Sequence, residues 1–299
     1  MPSRFKIFFL ISAVLSAITA FPVVSRAEKS SAARLREDVE YLSDTLCRGR
    51  GVGTAGMVEA SRYVSRRFRE IGLEPGMHSV TVDGVTVRSI VAELKTEGAA
   101  GTVVVCAHAD ALGIIDGVCY PGADSNASGV AALLDVAGRL KDGPCAGNVI
   151  FAVLDGNGLD RAGAKALCSS LKDRKINLVV SLDILGSDQS PVQAWRKEYM
   201  IVLGGSPWKK IFPQLDAKMD FYYDYYGNAD LTEYFYSRIS DLAPFLKAGY
   251  PGVLFTSGIT LDTNKPSDTP DKLNYGLLER RAAAIAAFVS RNAKKCVYL

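Results

Sequence analysis

Four short apolar runs constrain this chain more than any other feature. They fall at residues 102–107, 149–154, 178–184 and 253–256, with helical patterns between the first three and after the last. Each run is too short to be a buried helix, and each is continuous rather than alternating. That pattern belongs to strands covered on both faces. Strands that alternate with helices predict an α/β fold with a mixed, largely parallel sheet sandwiched by helices. The helical segments are read at 32–46, with Leu35, Val39 and Leu42 on one face, and at 58–71, with Tyr63, Val64, Phe68 and Ile71 inward and Gly72 as the stop. Further helices are expected at 130–140, 162–171 and 273–289. The 130–140 helix has its start prepared by Asp124-Ser125-Asn126. Residues 48–56 form a glycine-rich turn, and 79–94 alternate around Asp83-Gly84 as a hairpin.

Ligands in such sheets bind beyond the carboxyl ends of the strands. The first run ends in His108-Ala109-Asp110, the second in Asp155 and the third near Asp183, so these side chains are expected to lie close together. An imidazole and a carboxylate two residues apart at a strand tip are a common beginning for a metal site.

Residues 1–27 read as an export signal. Arg4 and Lys6 open a mostly apolar stretch, and Ser25-Arg26-Ala27 supplies the small residues of a cleavage site. Its removal leaves 28–299 as one domain, periplasmic or secreted, with 32 basic and 32 acidic residues. That balance gives no electrostatic case for nucleic acid, and no second long apolar segment points to a membrane. Six cysteines, Cys47, Cys106, Cys119, Cys145, Cys168 and Cys296, leave the disulfide pattern open, and none forms a Cys-x-x-Cys pair. Cys106 lies deep in the first apolar run and is expected in the core. Residues 221–236 are dense in tyrosine and phenylalanine. Edge packing of an insertion is the expected role, and a stacking surface for a ligand or protein partner is the alternative.

Several segments together resemble the co-catalytic zinc exopeptidases of metallopeptidase family 28, which include bacterial aminopeptidases and related glutaminyl cyclases. They are Arg48-Gly49-Arg50 with Gly53-Thr54-Ala55-Gly56, then Ile71-Gly72-Leu73-Glu74-Pro75, and Ala107-His108-Ala109-Asp110. Pro121-Gly122-Ala123-Asp124-Ser125-Asn126-Ala127-Ser128-Gly129-Val130 and Ser181-Leu182-Asp183-Ile184-Leu185-Gly186 follow. Ser240-Asp241 with Pro244-Phe245, and Pro266-Ser267-Asp268-Thr269-Pro270-Asp271, complete the series. The resemblance covers roughly residues 35–290 and implies the aminopeptidase-like three-layer fold. It also implies two zinc ions sharing a bridging aspartate, with a glutamate as general base for the attacking water.

Carried over position by position, the resemblance implies a degenerate site. His108 and Asp183 match metal ligands, and Asp110 matches the acid that orients the imidazole. Ser125 stands where the bridging aspartate belongs, and Asn157 where the general base belongs. Gly158 and Asn264 occupy the remaining ligand positions. No histidine follows His108, and no glutamate lies between Glu97 and Glu198, so a shift of register cannot restore the set. The expectation is an exported aminopeptidase-like protein without peptidase activity and with no cofactor, keeping a cleft for a peptide terminus or another small molecule. One alternative is a hydrolase with a single zinc on His108, Asp183 and Asp124, three donors with an open position. Asp124 is one residue off the bridging position, and a turn or helix-start role is expected for it. A second alternative is a non-enzymatic scaffold that binds a protein partner through 221–236.

Overall fold

Each apolar run becomes a strand of one eight-stranded sheet in the computed structural model, which describes residues 29–143, 145, 147–188, 195 and 197–293. The segment read as an export signal lies outside the described residues, as does Cys296. In chain order the helices are α1 (Ser31–Ser43), α2 (Ala55–Glu70), α3 (Gly129–Asp142), α4 (Ala162–Ser170), α5 (Phe212–Leu215), α6 (Ala229–Glu233), α7 (Ala243–Lys247) and α8 (Tyr275–Ala293). The strands are β1 (Pro75–Val82), β2 (Val85–Leu94), β3 (Thr102–His108), β4 (Gly113–Ile115), β5 (Val118–Tyr120), β6 (Asn148–Leu154), β7 (Ile176–Leu182), β8 (Tyr199–Leu203), β9 (Asp220–Tyr222) and β10 (Gly252–Thr256).

The sheet order is β1-β2-β6-β3-β7-β10-β8-β9, and β4 and β5 form a separate hairpin. The central β6-β3-β7-β10 block is parallel throughout, while β1, β2 and β8 pair antiparallel at its flanks. The two faces of the sheet feed two cores, as the two-residue period of a strand demands. Val103, Val105 and Ala107 of β3 face α1, α2, α3 and α8. Val104 and Cys106 of the same strand face α4, α7 and much of the aromatic segment. The fold is therefore the expected three-layer sandwich, with the carboxyl ends of β3, β6, β7 and β10 on one rim.

Several boundaries differ from the sequence reading. The strand β7 stops at Leu182 because Ile184 takes φ +53°, which a strand cannot continue through. The helix α8 begins at Tyr275 rather than 273; Leu273 is extended, and the Asn274 side chain caps the helix by accepting the Leu277 N–H at 3.0 Å. The start of α3 is not capped by Asp124 or Ser125. Asn126 Oδ1 accepts the Gly129 N–H at 3.2 Å, and residues 123–128 form an irregular wide turn before it. β4, β5, β8 and β9 lie outside the predicted strands.

The aromatic segment packs as an insertion over the sheet. Tyr225 is buried and stacks on Phe235 with centroids 4.1 Å apart, and Tyr226 meets it edge-on. Phe221 and Tyr223 lean instead on the opposite core. Of the five described cysteines none is in a disulfide, and Cys106 is fully buried. No described helix is long and apolar enough to cross a membrane.

Candidate functional site

His108 is the last residue of β3, and Asp183 follows β7 immediately, so parallel pairing of these strands sets the two side chains beside each other. His108 Nε2 lies 3.5 Å from Asp183 Oδ1. The other ring nitrogen, Nδ1, is 2.9 Å from the backbone carbonyl of Asp110, whereas the Asp110 carboxylate stands 3.9 Å away. The imidazole is thus oriented by the Asp110 carbonyl rather than by its side chain. The Asp110 carboxylate instead receives the backbone N–H groups of Asn157 and Gly158, each at 3.0 Å. It locks the loop after β6 against the loop after β3.

Asp241 completes this cluster; it stands in the Ser240-Asp241 segment of the resemblance, where its side chain carries no expected role. It precedes α7 and is buried, and its Oδ1 accepts a hydrogen bond from the Asn157 side-chain amide at 3.1 Å. Burial pushes the Asp241 carboxyl up to about 6; His108 and the Asn157 amide oppose that rise, and Asp110 and Asp183 add to it. For His108, burial acts downward. The hydrogen bond and charge of Asp183, with Asp241 and Asp110 behind it, outweigh burial and push the imidazole up to about 10. His108 is therefore an imidazolium at neutral pH, held among three carboxyl groups.

The other residues singled out from sequence lie around this centre with different tasks. Asp155, at the end of β6, is turned toward β2 and accepts the Arg88 backbone N–H at 2.7 Å. It does not join His108 and Asp183. Ser125 is half-buried, joined to Asn126 by a cis peptide, and its N–H donates to Asp268 Oδ2 at 3.1 Å. Asn126 is fully buried and ties the strand ends together, donating to the carbonyls of His108 and Leu182 and accepting the Ile184 N–H. Asp124 is buried too, and its Oδ1 accepts from the Gly186 N–H at 2.7 Å and the Ser128 hydroxyl at 2.9 Å. That carboxylate fastens the turn before α3 to the loop after β7. Gly158 is exposed, and a Cβ there would meet Asp110 Oδ2 at 3.7 Å and Val52 at 3.8 Å, ordinary contacts. Asn264 is exposed in a loop at φ +60°. Among the described residues, no group of three or more His, Cys, Asp or Glu side chains is placed to hold a metal ion.

Two buried arginines hold the frame. Arg50 is fully buried, and all its acceptors are carbonyls: Ala109 at 2.6 Å, Gly122 at 2.7 Å, Pro121 at 2.8 Å, and Leu42. It pins the end of α1, the loop after His108 and the turn leading to Ser125. Gly122 is required in that turn: it has φ +59°, and a Cβ would stand 2.6 Å from Ser125 O and 2.9 Å from Arg50 Nη2. Arg281 of α8 is also fully buried and donates to the carbonyls of Leu185, Ser187 and Tyr199. It fixes the loop beyond Asp183 against β8. Arg281 had a sequence signal, a cation among Leu277, Leu278, Ala282 and Ile285 on an apolar helix face.

The profile of peptidase family M28 matches residues 89–289 of the chain. The Escherichia coli (strain K12) protein YfbL is 25% identical over 290 residues, covering 86% of this chain and 87% of its own. Among solved structures, the zinc aminopeptidase BSAP from Bacillus subtilis superposes with a TM-score of 0.72 at 12% identity, covering 88% of this chain and 95% of that one. A glutaminyl cyclase from Fimbriiglobus ruber gives a TM-score of 0.72 at 17% identity, covering 87% of this chain and 94% of that one.

Proposed function

Since the chain belongs to peptidase family M28, we propose that it is a member that has given up two-zinc peptide hydrolysis and keeps the cleft for binding. The observation that carries this reading is the Asn157 side chain. At the position read as the general base stands an amide that donates to Asp241 at 3.1 Å, and an amide cannot take a proton from water near neutral pH.

The donor set does not fit two zinc ions either. Of the positions read as ligands, only His108 and Asp183 carry metal-binding side chains, two donors where two zinc ions need five residues. Ser125 offers a hydroxyl, Gly158 offers nothing, and Asn264 faces solvent. Asp124, the candidate third donor for a single zinc, is engaged through Oδ1 by Gly186 and Ser128 and keeps a buried, unpartnered Oδ2, but it forms no metal-holding group with His108 and Asp183 among the described residues.

What the arrangement can do is bind. Asp183 is 30% exposed at its side chain and opens the acidic cluster to the rim of the sheet. A partly exposed carboxylate beside an imidazolium suits a small ligand that presents an ammonium next to a carbonyl acceptor, such as a peptide amino terminus. Export through residues 1–27 belongs to the same proposal. The test pairs turnover with binding. Aminoacyl anilides with added zinc are expected to give no turnover that His108→Ala removes, while a short peptide is expected to raise the melting temperature in a way that Asp183→Asn abolishes. His108-dependent turnover would overturn the proposal, and so would a peptide response indifferent to Asp183.

A further inference from the structure

A second cleft lies away from the candidate site, between α4 and α7, with a volume of about 680 Å³. Its walls carry Arg161, Lys165, Lys172 and Lys247 against one acid, Asp160. The whole 299-residue chain has a formal charge of only +3, so this concentration of cations is local rather than a reflection of a basic protein. Arg161 and Lys165 both pair with Asp160. Lys172 and Lys247 are exposed, and neither forms an ion pair among the described residues. The Arg161 Nε is buried in the wall without a hydrogen-bond acceptor. Lysines at the ends of α4 and α7 do favour the negative helix termini. That accounts for one cation at each end, but not for four cations converging on one cleft.

The uncharged part of the lining is small side chains, Cys168, Ala243, Pro244 and Ala248 with Ser169 and Ser237. The one aromatic ring in the lining, Tyr250, is held edge-on to Phe245 and bonds the Leu171 carbonyl through its hydroxyl, so it does not stand free as a stacking platform. Nucleic acid needs such platforms or a long phosphate track. Lys165 lies inside α4 and Lys172 just past its end, so the cations are spread along the cleft rather than gathered at one point. Cationic walls over a lining of small side chains match a peptide that alternates acidic and aliphatic side chains.

We infer that the α4–α7 cleft docks an extended acidic segment of another protein. The cleft is also mechanically joined to the candidate site. Arg161 follows the loop whose N–H groups hold Asp110, and its Nη1 donates at 2.6 Å to the Arg238 carbonyl, three residues before Asp241. A segment seated on Arg161 therefore bears on both loops that bracket His108.

The experiment is fluorescence anisotropy with a short fluorescein-labelled peptide alternating Glu and Leu, titrated with the whole protein at low and moderate salt. The expected result is saturable binding that weakens as salt rises, and that weakens about tenfold or more in Lys172→Glu/Lys247→Glu. The control Lys95→Glu/Lys218→Glu has the same change in net charge and is expected to bind as the parent does. Thermal unfolding is expected to stay cooperative in both variants, with only a small loss in Lys172→Glu/Lys247→Glu, whose lysines favour the negative helix ends. Equal weakening in the two double variants would overturn the inference, as would no binding at low salt. Tighter binding of tripolyphosphate or of a single-stranded oligonucleotide than of the peptide would also overturn it, by assigning the cleft to phosphate.

Discussion

Changing Asn157 to aspartate tests the reading of the site at its centre, because the new side chain has the same shape and opposite hydrogen-bonding character. In the parent, the Asn157 amide donates to Asp241 Oδ1 at 3.1 Å. Asn157→Asp sets two carboxyl groups at that distance, where two full charges repel by about 5 kcal/mol at an effective dielectric constant near 20. The pair does not pay that in full, since one member can keep a proton. Burial already holds the Asp241 carboxyl up at about 6. Holding a proton there at pH 8 costs about 3 kcal/mol, at 1.36 kcal/mol per unit. At pH 5 the proton is present without that cost, and the Asp241 hydroxyl donates to the new carboxylate, so the loss falls below about 1 kcal/mol. His108, pushed up to about 10, gives parent and variant the same pH dependence and so drops out of the difference between them. Thermal unfolding of parent and variant, followed by circular dichroism at both pH values, measures the effect. A domain of this size shifts by roughly 2–4 °C per kcal/mol, so the expected deficit is about 6–12 °C at pH 8 and about 3 °C or less at pH 5. An equal deficit at both values, or none at either, would refute the assignment of Asn157 as a donor to a buried acid.

Three further outcomes follow from the same geometry. Arg50→Met strips a buried cation from four carbonyls and is expected to cost more than about 4 kcal/mol in urea unfolding, since the carbonyls remain buried. Burial pushes the Asp155 carboxyl up to about 6, so the folded state holds this proton more tightly than the unfolded one; the stability it gives is present below pH 4 and lost as pH rises through 6. Asp155→Asn is therefore expected to flatten the stability profile between pH 4 and pH 8 by up to about 3 kcal/mol, read from urea midpoints. Gly158→Glu is expected to change stability by less than about 1 kcal/mol, because a Cβ there meets only ordinary contacts. A large loss would mean that the backbone, rather than chemistry alone, excludes a ligand at that position.

The central strands were readable because burial on both faces writes them as unbroken apolar runs, as in Val103-Val104-Val105-Cys106-Ala107. β9 was not, since it has only three residues; β8 carries the same unbroken apolar signal, Tyr199-Met200-Ile201-Val202-Leu203, but with no helical period beside it to place it in the alternation. His108 and Asp183 announced themselves by standing where apolar runs end. The partnership of Asn157 with Asp241 spans 84 positions, and no local pattern encodes it. The same holds for Asp110: its spacing from His108 suggested a carboxylate that aims the imidazole, but the turn brings its carbonyl there and sends the carboxylate to two backbone N–H groups. Asp124 looked like a helix-start residue, yet its acceptor faces Gly186 across the rim, a contact fixed only when β7 and α3 have packed. Sequence spacing thus located the rim of the sheet, and packing decided which atoms of each residue meet there.

The most direct measurement is the zinc content of the purified protein. The chain would be equilibrated with excess zinc, passed through a desalting column and assayed by elemental mass spectrometry against protein concentration, beside a His108→Ala/Asp183→Ala variant. The account predicts zinc well below one ion per chain, equal in parent and variant. Two tightly held ions per chain, lost in the variant, would contradict it.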